Sequence, residues 1–400
     1  MSGWIKQTIA WVRLGLVTFI TPALITPALC GAQTAPAPDR SAPTTASTPT
    51  PASIARIALM LPTHSDNLAA AANAVRAGVM AGFERDSDGV SVQLIETGDT
   101  VPEILDVYQA LSGEYDLIIG PLARSAANGL AQSNFVSKPT LVLSQLDPTP
   151  LPATSSANIL AIGLSIEDEA RQAASWAASE KSQARLLVLT SNVAWQRRAA
   201  KAFVTQWQSL GRGEATPFEL FSSSGYFSAS GLKQLKAKIR NEKPNLVFIA
   251  MDAAQIRQMR PLLASDASVY ATSQINSSTR VSLEAEESEP APLLEGIRVL
   301  DLPWQLQPDH SAVMIYPRLF NEVKPPPDNE RLYALGVDAY RVAHEILLGR
   351  TASFKIDGVT GKLAVQFGRS AQNRGTPHFE RQLLPAVYRA GSLQPWQKNP

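Results

Sequence analysis

The side chains best placed for binding chemistry follow the ends of predicted strands. Arg124 and Ser125 begin a predicted helix just after the turn Gly120-Pro121, where backbone N–H groups and a guanidinium favour an anion such as a carboxylate. Further strand-end residues that could line the same crevice are Thr63, His64, Gln145, Trp195 and Gln274. Roles other than ligand binding remain open for three of these residues. His64 and Arg124 could simply be solvated, and Trp195 could anchor its own helix.

The sequence carries no motif for catalysis or for a metal site. Its four histidines form no His-Glu-x-x-His pattern, and no Gly-x-Ser-x-Gly elbow is present. Gly361-Lys362 lacks the upstream glycine and the following Ser or Thr of a phosphate loop. The only cysteine, Cys30, lies in the N-terminal segment. We therefore expect no enzyme, no cofactor and no bound metal.

The elements that position these side chains repeat one unit of strand, turn and helix. Apolar strands are predicted at 56–61, 90–95, 115–119 and 140–144, with helix-length segments between them. Strands separated by helices imply parallel crossovers and a doubly wound sheet. In such sheets the ligand crevice lies beyond the carboxyl ends of the strands, where the candidate residues fall.

A second strand and helix series follows the first, so the fold class is α/β with two doubly wound, Rossmann-like lobes joined by hinge strands. Its strands are predicted at 185–190, 218–221, 245–250 and 269–273. A strand within 294–304 is predicted to return toward the first lobe. The predicted first lobe is 54–160 plus 297–348, the second is 161–296 plus 349–392, and 393–400 is a tail. Such lobes can close around a ligand by hinge motion.

The N-terminal residues 1–32 are predicted to be a signal peptide. Lys6 and Arg13 precede an apolar run at 14–29 that is short and broken by proline. Cys30 leaves three possibilities: lipidation, which would tether the chain to a membrane; cleavage after Ala32, which would release a periplasmic protein; or a retained anchor. Residues 33–53 are rich in Pro, Thr, Ala and Ser, which predicts a disordered spacer.

The charge balance excludes one class of partner. Lys and Arg total 36 and Asp and Glu total 35, so there is no basic excess of the kind that nucleic acid requires. We expect no nucleic-acid partner.

Several segments together resemble a known family. Residues 57–62 (IALMLP), 116–122 (DLIIGPL) and 269–273 (VYATS) resemble the type I periplasmic binding protein fold, which is leucine-binding-protein-like. Other segments resemble the C-terminal domain of the LppC (LpoA-type) penicillin-binding protein activators: GLSIEDEARQ (163–172), LEGIR (294–298), LPW (302–304), RLYALGVDAY (331–340) and GVTGKL (358–363). The resemblance covers roughly 54–392.

This resemblance implies an exported, non-catalytic regulator of a class A penicillin-binding protein in peptidoglycan synthesis, held at the outer membrane if Cys30 is lipidated. Two features depart from the family. The lipobox is irregular, with Pro27 and Leu29 before Cys30, and a short spacer stands in place of the preceding helical-repeat domain. The alternative is a periplasmic solute-binding protein for an amino acid or similar small ligand, serving an ABC transporter or sensor. Against it, Leu122-Ala-Arg124 follows the Gly120-Pro121 turn, and no obvious acid faces that turn to hold a ligand amine.

Overall fold

The computed structural model describes residues 54–181, 184–276, 291–318, 327–349, 352–368 and 376–397. The predicted signal segment, Cys30 and the predicted spacer lie outside these residues. Ala52–Pro400 form one compact unit. Within it the described residues form two α/β lobes, each built on its own sheet.

The described strands alternate with helices through most of the chain. The strands in chain order are β1 (Ala55–Leu61), β2 (Val90–Glu96), β3 (Leu117–Ile119), β4 (Thr140–Val142), β5 (Ile159–Ala161), β6 (Leu186–Ser191), β7 (Phe218–Leu220), β8 (Ser222–Ser223), β9 (Tyr226–Phe227), β10 (Leu246–Ala250), β11 (Ser268–Ala271), β12 (Arg298–Asp301), β13 (Ser353–Asp357), β14 (Lys362–Gln366), β15 (His378–Gln382), β16 (Leu384–Arg389) and β17 (Ser392–Pro395).

The helices connect these strands. They are α1 (Ala69–Arg85), α2 (Val101–Leu111), α3 (Arg124–Gln132), α4 (Ala153–Asn158), α5 (Ile166–Glu180), α6 (Ala194–Ser209), α7 (Ala229–Glu242), α8 (Ala253–Met259), α9 (Pro303–Leu306), α10 (Ser311–Met314) and α11 (Pro327–Leu348). Short 3₁₀ turns cover Arg260–Leu262, Ser273–Asn276 and Ala291–Leu294.

The first lobe is a parallel five-stranded sheet with the order β2-β1-β3-β4-β5. β3 is fully buried, as is most of β1, because helices cover both faces of the sheet. Apolar residues of α1 and α11 pack on one face with Ile57, Leu59 and Leu61, while α2 and α3 pack on the other face with Ala58 and Met60.

The second lobe repeats this arrangement. Its parallel part has the order β7-β6-β10-β11-β12, and antiparallel strands β16 and β17 extend it beyond β12. α5 and α6 cover one face, and α7 and α8 cover the other. At the start of α5 the Ser165 hydroxyl accepts a hydrogen bond from the Asp168 N–H at 3.0 Å, which caps the helix.

Three parts of the predicted domain division are wrong. β12, assigned to the first lobe, pairs with β11 and β16 in the second sheet. β13, β14 and β15, assigned to the second lobe, form a separate antiparallel sheet that buries Ile356, Leu363 and Val365 in the core of the first lobe. The predicted tail begins inside β17. Pairing partners, which depend on tertiary contacts, decide to which lobe a strand belongs.

Candidate functional site

A cavity of about 370 Å³ lies where the carboxyl ends of β4 and β5 meet those of β11 and β12. Its size falls within the range of small-molecule pockets, about 300–1,000 Å³. Gln145 and Gln274 line it, as their positions after strands suggest. The other polar side chains that matter here are those of Glu169, Gln172, Ser273, Asp301, Arg331 and Arg381.

The remaining predicted residues of the first lobe do not line this cavity, and those after β1 bond to β2. The Thr63 hydroxyl donates to Glu96 at 3.3 Å, and His64 Nε2 lies 4.0 Å from the same carboxylate. Gly120 and Pro121 are buried, and a Cβ on Gly120 would overlap the Met60 carbonyl. Thr63, His64 and the Gly120-Pro121 turn therefore act within the first lobe in this arrangement.

Arg124 joins the two lobes. Its Nη2 lies 2.8 Å from Asp147 in the same lobe, and its Nη1 lies 3.3 Å from Glu167 at the start of α5. Arg198 of α6 donates to the same Glu167 carboxylate at 2.8 Å. The anion that the sequence places beside Arg124 is thus supplied by the chain itself. Ser125, one residue further on, is exposed.

Arg124 and Glu167 shift each other's pKa values. Burial lowers the pKa of Arg124, but hydrogen bonding to Asp147 and the charge of Glu167 outweigh it, so the pKa is raised overall. Burial raises the pKa of Glu167, yet a backbone hydrogen bond, Arg198 and Arg124 bring it below its ordinary value. Both groups are therefore charged at neutral pH.

Trp195 is half-buried at the start of α6 and does not line the cavity. Its neighbour Gln196 is buried and donates to Gln255 at 2.6 Å. In this position Trp195 belongs to the second lobe alone.

A buried ion pair on the wall of the cavity was not predicted from the sequence. Arg331 of α11 donates to Asp301 of β12 through Nη2 at 2.8 Å and Nε at 3.2 Å, and to the Ser273 carbonyl at 3.2 Å. The Arg331 and Asp301 side chains are 6% and 1% exposed. The pair therefore connects α11 of the first lobe to the sheet of the second in a nearly dry environment.

Glu169 of α5 completes this buried cluster. Its carboxylate accepts hydrogen bonds from the Ser273 N–H and, at 2.9 Å, from the Ser273 hydroxyl. Burial raises the pKa of the Glu169 carboxyl to about 8, and the charge of Asp301 acts in the same direction. For Arg331, burial lowers the pKa, but Asp301 outweighs it and the pKa is raised overall. The cluster near neutral pH thus combines the Arg331–Asp301 pair, which the exposed Asp328 joins at 3.1 Å, with a mostly protonated Glu169.

Arg381 of β15 occupies the crossing between the lobes. It donates to the carbonyls of Ile162 and Gly163 at 2.7 and 2.9 Å, and to the Thr360 hydroxyl at 3.0 Å. Burial lowers its pKa to about 10, so it stays charged at neutral pH. Gln172 of α5 bonds to the backbone on either side of Gln382, which ties the second lobe to the same strand.

The sequence does contain weak signals for these missed residues. Asp301 ends the buried run of β12, and Arg331 and Asp338 stand among apolar residues of α11, where a charged side chain needs a partner. Asp338 finds its partners in the Val359 and Thr360 backbone and the Thr360 hydroxyl. The identity of the partners depends on tertiary contacts that no spacing rule supplies.

The described residues contain no group of three or more His, Cys, Asp or Glu side chains arranged to hold a metal ion. No helix in the same residues is long and apolar enough to cross a membrane.

The chain is similar both to penicillin-binding protein activators and to proteins of amino-acid transporters. A penicillin-binding protein activator LpoA from Edwardsiella ictaluri is 28% identical over 351 residues, which are 76% of this chain and 46% of that protein. A Chromobacterium violaceum structure described as "a putative branched-chain amino acid ABC transporter" is 30% identical, with a TM-score of 0.64, covering 83% of this chain and 99% of that one.

The LpoA C-domain from Haemophilus influenzae, described as a regulator of PBP1A, has a TM-score of 0.65 at 19% identity. It covers 86% of this chain and 100% of that one, which confirms the predicted two-lobed α/β fold. The chain spans about half the length of the curated relatives it matches. The family model described as "LppC putative lipoprotein" matches residues 47–224 and 226–383. That match extends across both lobes, and the chain belongs to the LppC family.

Proposed function

We propose that this protein is a non-catalytic regulator that activates a class A penicillin-binding protein during peptidoglycan synthesis. The observation that carries the proposal is the LppC match across both lobes, together with relatives named penicillin-binding protein activator LpoA. The chain spans about half the length of those relatives. We therefore assign to it only the binding of a partner protein, which two lobes of this kind can perform.

The charges around the cavity support a regulator over a solute receptor. Arg124, Arg331 and Arg381, which could hold a ligand carboxylate, already bond to acids, carbonyls or a hydroxyl of the chain itself. A ligand would have to displace those partners, at a cost of about 1–3 kcal/mol for each bond to a charged group. The lobes are therefore held together without needing a solute.

The export pathway is part of the same proposal. A periplasmic location, with a tether to the outer membrane through Cys30, fits the LppC family and the partner class. Metabolic labelling with a fatty-acid analogue tests it, with Cys30→Ser as the control that must lose the label. Labelling that persists in Cys30→Ser would rule out this tether.

The proposed activity is tested with purified components. A class A penicillin-binding protein from the same cell, supplied with lipid-linked disaccharide-peptide, should polymerise or crosslink glycan faster when this protein is added. The protein alone should consume no substrate. An unchanged rate, together with no capture of any synthase from detergent-solubilised membranes, would refute the proposal.

The second candidate is a solute-binding protein. The Chromobacterium violaceum relative and the 370 Å³ cavity favour it. A binding protein is stabilised by its ligand in proportion to the logarithm of ligand excess. Thermal denaturation against a panel of amino acids and aromatic acids therefore separates the two functions. A large shift with one compound, without any effect on a synthase, would favour the receptor.

A further inference from the structure

The near-zero net charge of the chain conceals a strong separation between the lobes. Residues 54–161, which form the first sheet and helices α1–α4, contain five Lys or Arg against eleven Asp or Glu. Residues 184–276, which form most of the second lobe, contain twelve Lys or Arg against five Asp or Glu. The second lobe is therefore basic and the first acidic, although the whole chain carries only +1.

Among the helices α5–α8 of the basic lobe, α7 is the least buried. Among its residues only Leu235 is buried. Lys233, Lys236 and Arg240 are exposed, and their spacing of three and four residues places them on one side of the helix. Within the described part of the chain, none of these three side chains has an ion-pair partner, whereas Lys238 pairs with Glu242 at 2.6 Å. The three free cations form a basic stripe.

The hairpin of β8 and β9 leads directly into this helix. Its two-residue turn, Ser224-Gly225, has φ angles of 50° and 82°, as a tight type I′ turn requires. The hairpin is held from both sides: the Ser222 N–H donates to Asn192 at 2.9 Å, and Gln258 Nε2 donates to the Gly225 carbonyl at 2.8 Å. It is therefore a rigid projection.

This rigid hairpin exposes two aromatic side chains. Phe221 is 70% and Tyr226 is 72% exposed, and strand alternation puts both on the face opposite the buried pair Ser222 and Phe227. One residue later, Ser228 caps α7 by accepting from the Gly231 N–H at 3.1 Å. Aromatic and basic residues thus adjoin on one framework, and Tyr226 and Arg240 are of residue types enriched in binding hot spots.

We infer that the hairpin and α7 form a docking surface for an acidic surface of a partner protein. Under the proposed function, on which this inference rests, that partner is the penicillin-binding protein. A protein fits better than an anionic bilayer, because two aromatic side chains in fixed positions suit apolar pockets on a folded partner.

The test compares charge reversal on the stripe with an equal change elsewhere. In the full chain, Lys233→Glu/Lys236→Glu/Arg240→Glu should weaken binding to the purified synthase by about tenfold or more, since it puts like charges together across the interface. Lys201→Glu/Lys355→Glu/Lys362→Glu makes the same change in net charge at exposed positions away from the stripe, and should leave the dissociation constant within about threefold.

A second variant tests the aromatic part without changing charge. Phe221→Ser/Tyr226→Ser should weaken synthase binding about tenfold, since both aromatic side chains are expected to fill pockets on the partner. All variants alter exposed side chains, and circular dichroism with thermal denaturation establishes that each retains the wild-type fold.

The outcomes separate the inference from the proposed function. A wild type that binds no synthase refutes the proposed function and this inference with it. A wild type that binds, with stripe and aromatic variants that bind equally well, refutes only the docking surface. Two other outcomes would overturn the choice of occupant. One is stripe-dependent binding to phosphatidylglycerol vesicles without synthase binding. The other is stripe-dependent dimerisation, seen in sedimentation, without synthase binding.

Discussion

At the scale of single residues, the site between the lobes is governed by buried charge. Arg331, Asp301 and Glu169 lie in an environment where an unpartnered charge costs several kcal/mol. The bonds of Arg331 to Asp301 and of Ser273 to Glu169 meet that cost, and they leave each group sensitive to loss of its partner or its proton. Two predictions follow from this sensitivity.

Glu169→Gln should remove a pH dependence of stability. The folded state holds the Glu169 proton up to about pH 8, whereas an ordinary carboxyl releases it near its usual 4.5. Unfolding in that window releases a proton, so wild-type stability falls as the pH rises through it, by about 1.4 kcal/mol per unit of pKa difference.

Melting temperatures measured from about pH 5 to pH 9 check this expectation. The melting temperature of the variant relative to that of the wild type should rise with pH up to about pH 8 and then stay constant. Glu114→Gln, at a side chain that is 65% exposed, is the control and should follow the wild type. A constant difference across the range would contradict the assignment.

Arg331→Met should destabilise the protein by about 3–5 kcal/mol, because it leaves Asp301 buried without its cation. Arg331→Met/Asp301→Leu should recover most of the loss, since a buried pair can be replaced by apolar side chains at little cost. Urea denaturation of both variants measures the difference. A double variant no more stable than the single one would show that the ion pair is not the source of the effect.

At the scale of elements, the first lobe depends on the close approach of α1 and α11. Gly78 and Gly336 face each other across the contact: a Cβ on Gly78 would overlap the Tyr333 carbonyl, and one on Gly336 would overlap the Val75 carbonyl. The helices therefore touch backbone to backbone. This contact sets the position of α11, and with it the reach of Arg331 toward Asp301.

Gly336→Ala should force the two helices apart and cost about 1–3 kcal/mol or more, as overpacking does in close-packed cores. Gly113→Ala, at a glycine with no atom within 4 Å of a Cβ, should change stability by less than about 0.5 kcal/mol. Thermal or chemical denaturation measures both. An unaffected Gly336→Ala variant would mean that the helices can separate freely.

The elements also show where prediction from sequence succeeds. β1 from Ile57 onward and β3 are continuous apolar runs, which is a local signal, so both strands could be predicted from the sequence. Membership of a sheet is not local, which is why β12 and β13–β15 were placed in the wrong lobes. Gln145 and Gln274 could be predicted to line the cavity because they follow strands. The pairing of Asp301 with Arg331 could not, because it depends on which lobe each element joins.

At the scale of the whole molecule, three connections hold the lobes together. Glu167 is shared by Arg124 of the first lobe and Arg198 of the second, Arg331 reaches Asp301, and Arg381 bonds to the crossing backbone. Besides these charged side chains, Trp304, which follows β12, packs on Tyr333 of α11. The arrangement of the lobes is thus set by ion pairs, hydrogen bonds to backbone and apolar packing together.

Glu167→Gln should shift the lobes toward a more open arrangement. It removes the carboxylate that two arginines share, and hydrogen bonds to charged groups contribute about 1–3 kcal/mol each. The radius of gyration from small-angle X-ray scattering should increase. Lys238→Gln, which breaks the Lys238–Glu242 pair within the second lobe, should leave it unchanged. Equal scattering from all three proteins would show that the Glu167 contacts do not control opening.

The opposite charge of the two lobes also has a kinetic consequence. A molecule with an acidic end and a basic end carries a large dipole and turns in the field of an approaching charged partner before they touch. An acidic partner would therefore meet the basic lobe first in most encounters. Its association rate would fall steeply with ionic strength, while the dissociation rate, set by short-range packing, would change little. Segregated charge thus selects which end of the protein makes first contact.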